Sequence, residues 1–132
     1  MSDTTRKETL ENGRKVLADM MGEAGLKARD AKKNSWNATV QEYSDEVCFG
    51  MVWARPGLAR KNRSMLNIAM LTALGRLNQL KSHLEIGLNN GLTVEEIREI
   101  LLQAAVYSGL PSAVDAFRVA EEVLKARGLL EA

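Results

Sequence analysis

The first apolar pattern in the chain begins just after a helix-start signal. Thr5 and Glu8 form a Thr-x-x-Glu capping box, and apolar residues then recur at helical spacing from Leu10 until Gly22, which offers a stop. Residues 22–35 mix glycine with charge and lack apolar periodicity. We therefore expect a connection with no more than a helical turn there, its lysines on a solvated face.

A second helical pattern starts at Trp36. Its apolar residues, three or four positions apart, are Val40, Tyr43, Val47 and Met51. Pro56 makes a helical conformation at Arg55 unfavourable, so we expect this helix to end there. Pro56 and Gly57 also occupy the central positions that a type II turn demands, since proline fixes its own φ and glycine accepts a positive φ.

The most apolar stretch of the chain spans residues 65–74. Its side chains are apolar almost all round, which predicts a helix enclosed by its neighbours, and Gly75 can close it. A stripe of leucines then marks the next helix, which we expect to stop at the Asn-Asn-Gly of residues 89–91. The leucines of that stripe are Leu77, Leu80, Leu84 and Leu88.

The last third of the chain has the clearest boundaries. Thr93 and Glu96 form a second capping box, and Gly109 and Pro111 separate the helix that it opens from a final helix ending before Gly128. No window of the sequence alternates apolar and polar residues with period two. We therefore predict an all-α fold, a bundle of about six helices.

Composition adds limits to this picture. A chain of 132 residues with 45% hydrophobic content suits one domain with a single core, so we expect a single domain over residues 1–132. Lys+Arg 18 against Asp+Glu 17 leaves a formal charge of +1, too weak a field to gather nucleic acid or an anionic membrane surface.

Location and assembly follow from similar arguments. The longest apolar run is far below the ~20 residues of a membrane span, and the N-terminus lacks an apolar signal core. Cys48 is the single cysteine and permits no internal disulfide, which favours a cytoplasmic protein. Broad apolar stripes on the terminal helices indicate a covering second subunit, so we expect a homo-oligomer.

His83, the one histidine of the chain, is the first candidate for chemistry. Imidazole has an unperturbed pKa near neutrality, which suits it to donate or accept a proton. Arg76, Gln79 and His83 follow at i, i+3 and i+7 and so share a helix face. The alternative is a hydrogen-bonded structural histidine at a helix or subunit boundary.

Three arginines, Arg55, Arg60 and Arg63, surround the Arg-Pro-Gly-Leu turn. A guanidinium can bond both oxygens of a substrate carboxylate at once. The alternative is that they form surface salt bridges with glutamates such as Glu46. Trp53 could line a pocket or fill the core. No cluster with metal-ligand spacing and no glycine-rich phosphate loop occurs, so we expect neither a metal nor a cofactor.

Residues 53–91 read as Trp-x-Arg-Pro-Gly-Leu, then Arg-x-x-Arg-Ser, a buried run, and His-Leu-x-x-x-Leu-Asn-Asn-Gly. In these motifs the chain resembles the gamma-carboxymuconolactone decarboxylase family, and the resemblance extends over residues 40–123. It implies an AhpD-like helical fold, ring-like homo-oligomers that are usually hexamers, and a role in the protocatechuate branch of aromatic catabolism, the beta-ketoadipate pathway.

The resemblance also implies an activity and a site. The family reaction is the cofactor-free removal of carbon dioxide from 4-carboxymuconolactone, so the expected substrate is this compound or a related carboxylated lactone. His83 would be the catalytic donor, and Arg60 and Arg63 would orient the carboxylates. Arg55, with Trp53 and Gln79, completes the expected substrate-binding set.

Two departures from related patterns matter. AhpD-like thiol peroxidases read Gly-Cys-x-x-Cys-x-x-x-His, and the two cysteine positions are Arg76 and Gln79 here. Without those sulfurs this site cannot perform thiol redox chemistry, and we interpret Cys48 as a small packing residue.

The second departure concerns an acid. Family decarboxylases typically read Trp-Gly-Glu or Trp-Gly-Asp, an aliphatic residue, then Trp-Thr-Arg-Pro-Gly-Leu, whereas Met51 and Ala54 replace the acid and the threonine here. Methionine neither donates nor accepts a proton. Two functions therefore stay open: a cofactor-free lyase, or a non-catalytic or differently specialised ring-forming member that binds a small anion.

Overall fold

The computed structural model describes residues 5–131, which are largely helical and contain no β-strand. The all-α prediction is therefore confirmed. The elements are α1 (Arg6–Ala31), α2 (Ala38–Tyr43), a π-helix (Ser44–Trp53), α3 (Arg60–Leu74), α4 (Leu77–Asn89), α5 (Val94–Ser108) and α6 (Leu110–Ala126). They fall into two compact units that divide between Leu58 and Ala59, and each unit is described separately below.

Helix α1 starts as predicted but continues further than predicted. The Thr5 hydroxyl accepts from the Glu8 amide at 3.2 Å, and the Glu8 carboxylate accepts from the Thr5 amide at 2.7 Å, which completes the capping box. Gly22 has φ 76° and ψ 167°, so it bends the axis, yet the helix resumes and runs to Ala31. The expectation of a connection is therefore wrong for residues 23–31.

An ion network explains why the second part of α1 is held in place. Arg14, before the bend, binds Asp30, after it, at 2.7 Å and Asp45 of the π-helix at 3.1 Å. Arg29 binds the same Asp45 at 2.6 Å, and Asp45 is only 4% exposed. The hydrogen bond from the Arg14 guanidinium lowers the pKa of the Asp30 carboxyl below its usual value. These are contacts between distant parts of the chain, which local periodicity does not reveal.

Two glycines allow α1 and the π-helix to touch backbone to backbone. A Cβ on Gly13 would lie 1.8 Å from the carbonyl oxygen of Asp45, and one on Gly50 would lie 2.2 Å from that of Thr9. Neither approach leaves room for a side chain. Both positions therefore depend on glycine for the packing of the first unit.

The second predicted helix is present as α2 and the π-helix in succession, and it ends before Arg55 as expected. The predicted type II turn is wrong. Such a turn needs a positive φ at Gly57, and Gly57 is not among the glycines with positive φ. Glycine permits that conformation without requiring it, so the chain turns here with another geometry.

The second unit consists of helices α3 to α6 around one apolar core. Gly75, with φ 70°, ends α3 in the left-handed conformation, and the Thr93–Glu96 capping box opens α5, both as predicted. The buried core residues are Ile68, Leu80, Leu84, Leu92, Ile97, Leu101, Ala116, Val119, Ala120, Val123 and Leu124.

Helix α3 is less enclosed than its composition predicts. Ile68 and Thr72 are fully buried, whereas Leu66, Met70 and Leu74 are 54%, 52% and 70% exposed. The expectation of a helix surrounded by neighbours is therefore wrong within one chain, because only one face of α3 meets α4, α5 and α6. Among the described helices, none is long and apolar enough to cross a membrane.

Candidate active site

The candidate histidine lies on a hairpin of two antiparallel helices, α3 and α4. The left-handed Gly75 reverses the chain between them. Further along the hairpin, the Asn90 amide donates to the Ser64 hydroxyl at 3.0 Å, and a Cβ on Gly87 would lie only 3.2 Å from Cδ1 of Ile68 on α3. The close approach at Gly87 and the hydrogen bond to Ser64 together set the register of the two helices.

His83 occupies the edge of the buried face of α4. Its neighbours Leu80 and Leu84 are fully buried, and His83 itself is half-buried. Burial lowers the pKa of His83 below its usual 6.5, because removal from water disfavours the charged imidazolium. The imidazole is therefore neutral around neutral pH.

Asn67 of α3 is a site residue that the sequence patterns did not single out. Its amide nitrogen Nδ2 lies 3.4 Å from Nδ1 of His83. The sequence does contain a signal for Asn67, because this polar residue interrupts the most apolar run of the chain. A polar side chain at such a position commonly has a specific hydrogen-bond partner.

Arg60 and Arg63 share a face of α3 with Asn67. The three residues follow at i, i+3 and i+7, and four residues of an α-helix advance by about 6 Å. Both arginines are half-buried. The periodicity of α3 thus brings them to the same side of the hairpin as the Asn67–His83 contact, one and two turns from it.

Gln79 lies one turn before His83 on α4, so it shares the histidine's face of the helix. It is exposed, as is Arg76, which precedes the first residue of α4. The predicted sharing of a helix face therefore applies to Gln79 and His83 within α4, whereas Arg76 is the non-helical residue just before it.

Trp53 and Arg55 belong to the first unit, unlike the other four predicted site residues. Trp53 is 6% exposed and stacks on Phe49 with ring centroids 6.0 Å apart, a contact that fits the core alternative. Arg55 is exposed just after the π-helix. Glu46, considered as a partner for the arginines, binds Arg6 at 2.7 Å.

Two further residues of the first unit bear on the sequence predictions. Met51, at the position of the family acid, is 45% exposed. Cys48 is exposed, so the interpretation of it as a packing residue is wrong. Within residues 5–131, no three His, Cys, Asp or Glu side chains cluster as a metal site requires.

Two depressions of the second unit lie away from His83. One, of about 480 Å³, lies between α5 and α6 and is lined by apolar residues with Arg98 and Arg118 among them. The other, of about 450 Å³, lies between α3 and α5 beside Glu95 and Glu99. Neither is lined by His83, Arg60 or Arg63. The candidate site is therefore defined by its side chains and not by either of these cavities.

Comparison with known proteins decides the family. A model of the carboxymuconolactone decarboxylase family matches residues 38–122. The chain belongs to this family. The match begins in α2 and ends in α6, so it includes the α3–α4 hairpin with Asn67 and His83.

Two relatives of the chain carry decarboxylase names. The chain is 38% identical to 4-carboxymuconolactone decarboxylase of Acinetobacter baylyi, over 90% of its length and 89% of the relative's. It is 33% identical to nitrosuccinic acid decarboxylase npaB of Metarhizium robertsii, over 93% and 86%. An uncharacterised 15.0 kDa protein of Paracoccus denitrificans is 35% identical over 59% of the chain and 60% of that protein. The two named activities support a decarboxylase role for the carboxymuconolactone decarboxylase family.

Proposed function

We propose that this protein is a cofactor-free decarboxylase of 4-carboxymuconolactone or a related carboxylated lactone. The observation that carries the proposal is the α3–α4 hairpin, where His83 is half-buried and neutral and Arg60 and Arg63 lie on the same side. The 38% identity to an enzyme of that name over 90% of the chain supports the choice of substrate.

The reaction requires little of the protein because the substrate takes up its own electrons. The bond to the leaving carboxylate breaks, carbon dioxide departs, and the electron pair moves through the conjugated ring onto the carbonyl oxygen as a dienolate. A ring carbon then takes a proton. The protein has to orient the carboxylates, donate a hydrogen bond to the oxyanion and allow that proton to arrive.

The residues of the hairpin fit these tasks. Arg60 and Arg63 would hold carboxylate oxygens, and the positive end of α3, which begins at Arg60, adds to their attraction for an anion. His83 would donate toward the reacting ring. Gln79, one turn before His83 on α4, would supply a further substrate contact.

A second substrate class is favoured by the relative that acts on nitrosuccinic acid. A nitro group can accept the electrons of a departing carboxylate as a nitronate, just as the conjugated carbonyl does in the lactone. Both substrates are carboxylic acids with an electron acceptor positioned to receive the electrons of the lost carboxylate. The same arginines and donor would serve either, so nitrosuccinate belongs in the substrate panel.

The test measures carbon dioxide release and loss of the lactone's ultraviolet absorbance, with 4-carboxymuconolactone, simpler butenolide acids and nitrosuccinate. His83→Gln keeps a hydrogen-bond donor but removes the titratable ring, and it should lower turnover by roughly 10²- to 10⁴-fold while affinity stays within about tenfold. His83→Ala should weaken both. A His83→Gln variant as active as the wild type would make His83 structural and the proposed site wrong.

Because Met51 replaces the family acid, the same test has a second outcome, in which the protein binds the substrate without turning it over. If the wild type binds the lactone without consuming it, the protein is the small-anion-binding member of the family considered from the sequence. Met51→Glu is then the change expected to restore turnover, because it returns a group that can carry a proton.

We also propose that copies of the chain assemble into a ring, as a hexamer, in the cytoplasm. Helices α3 and α5 run side by side, joined at one end by a Lys61–Glu96 ion pair of 3.0 Å. Both carry large apolar side chains that a single chain leaves uncovered, which is a usual mark of an interface. The exposed apolar residues of this α3–α5 surface are Leu66, Met70, Leu74, Leu102, Val106 and Tyr107.

A further inference from the structure

We propose that Asn67 holds neutral His83 in the tautomer whose proton is on Nε2, so that His83 acts as a hydrogen-bond donor through Nε2. Asn67 is thus a positioning residue, since it would act through His83. Its effect on catalysis rests on the proposed decarboxylase function. The tautomer itself does not, and it can be measured without any substrate.

The geometry of the contact carries the inference. The Asn67 amide nitrogen lies 3.4 Å from Nδ1 of His83, within reach of a long hydrogen bond. An amide nitrogen only donates, so Nδ1 has to accept. A neutral imidazole has one donor and one acceptor nitrogen, and an accepting Nδ1 leaves the proton on Nε2.

The surroundings hold both partners in place. Ile68 and Leu84, which follow Asn67 and His83 in sequence, are fully buried, so neither helix can rotate without exposing them. The Asn90–Ser64 hydrogen bond of 3.0 Å and the tight approach at Gly87 prevent the hairpin from sliding. The amide of Asn67 is therefore presented to Nδ1 by the packing of the helices.

The proton on Nε2 decides what the histidine can do. A neutral imidazole that donates can stabilise an oxyanion as it forms, and it does so without first acquiring a charge. Had the Asn67 amide been turned over, its oxygen would accept from Nδ1, and Nε2 would present a lone pair suited to a base. The two orientations thus predict opposite roles for one ring.

The wild-type protein gives the first test. His83 is the only histidine of the chain, so histidine labelled with ¹⁵N in the ring yields a single pair of nitrogen signals. Two-bond and three-bond ¹H–¹⁵N correlations at about pH 8, above the usual histidine pKa, should show a protonated Nε2 and an unprotonated Nδ1. A protonated Nδ1 would overturn the inference directly.

Variants then test whether Asn67 is the cause. Asn67→Asp replaces the donor with a carboxylate that only accepts, so the proton should move to Nδ1. Asn62→Asp adds the same charge at an exposed position of α3 and should leave the tautomer unchanged. If Asn67→Asp does not fold, Asn67→Ala serves, and the Nδ1 signal should shift as it loses its donor. An unchanged ring spectrum in a folded Asn67 variant would contradict the proposal.

Kinetics connect the tautomer to the reaction. Asn67→Asp should lower kcat by roughly 10²-fold, the usual effect of losing an oxyanion donor, with a smaller change in KM. Asn62→Asp should leave kcat close to that of the wild type, and any rise in its KM would come from the carboxylate added to the first turn of α3. If the wild type consumes none of the candidate acids, the proposed function fails while the tautomer measurement still stands. If Asn67→Asp moves the proton but leaves kcat unchanged, the donor role of Nε2 is wrong.

Discussion

Gly13 of α1 lies directly against the backbone carbonyl of Asp45, where an added Cβ would stand 1.8 Å from the oxygen. Backbone atoms cannot move aside as a flexible side chain can. The contact therefore ties the packing of α1 on the π-helix to the absence of a side chain at position 13.

The first prediction follows from that contact. Gly13→Ala should lower the free energy of unfolding by about 3 kcal/mol, the upper end of the usual range for overpacking. Gly57→Ala is the matched control, since no atom lies within 4 Å of its added Cβ and its φ is not positive. Urea unfolding of both variants measures the difference. Equal stability of the two would mean that the two helices are not in contact at Gly13.

The second prediction concerns the pH dependence of stability. Burial lowers the pKa of His83 in the folded protein below the 6.5 expected when unfolded. The unfolded chain therefore binds the proton first as the pH falls, so the contribution of His83 to stability is complete above 6.5 and is lost below it.

The measurement compares wild type with His83→Gln. The free energy of unfolding should fall more steeply for the wild type as the pH is lowered from about 7 to about 5, the region around and below the usual histidine pKa. The curve of the variant measures the pH dependence that comes from the carboxylates, which both proteins share. Parallel curves would show that His83 titrates alike in the folded and unfolded states.

The third prediction concerns assembly. The protein should elute well above its 14.5 kDa monomer mass, because the α3–α5 surface exposes large apolar side chains on both helices. Val106, 76% exposed in one chain, is a test position: Val106→Lys should shift the protein toward smaller species, since an interface disfavours a buried, unpaired ammonium.

A control separates charge from burial in this experiment. Asn78→Lys adds the same charge at an exposed polar position of α4 and should leave the mass by light scattering unchanged. A wild-type monomer at micromolar concentration would contradict self-association. An unchanged assembly of Val106→Lys would instead place the interface elsewhere on the chain.

The fourth prediction is that the site lacks thiol peroxidase activity. Arg76 and Gln79 stand where the related peroxidases have cysteines, and the one sulfur that could react, Cys48, is exposed in the first unit. Purified protein should not turn over hydroperoxide with a dithiol donor. Any turnover that survives Cys48→Ser would contradict the assignment, because it would need a thiol that the chain does not contain.

Local chemistry in the sequence was sufficient for most helix boundaries. The capping boxes at Thr5 and Thr93 formed as predicted, and Gly75 ended α3, because each depends on residues within one turn of one another. The same local rules failed at Gly57, where a permitted conformation was not adopted, and at Gly22, beyond which α1 continues.

Only the tertiary structure showed which residues far apart in sequence are in contact. The sequence alone selected His83 and its arginines by residue type and spacing. Asn67 could be connected to His83 only once α3 and α4 were paired, because sixteen residues and a helix reversal separate them. The continuation of α1 likewise depends on Arg14 reaching Asp30 and Asp45. Helical periodicity assigns residues to faces, but the register between helices is set by side-chain packing, which no local pattern encodes.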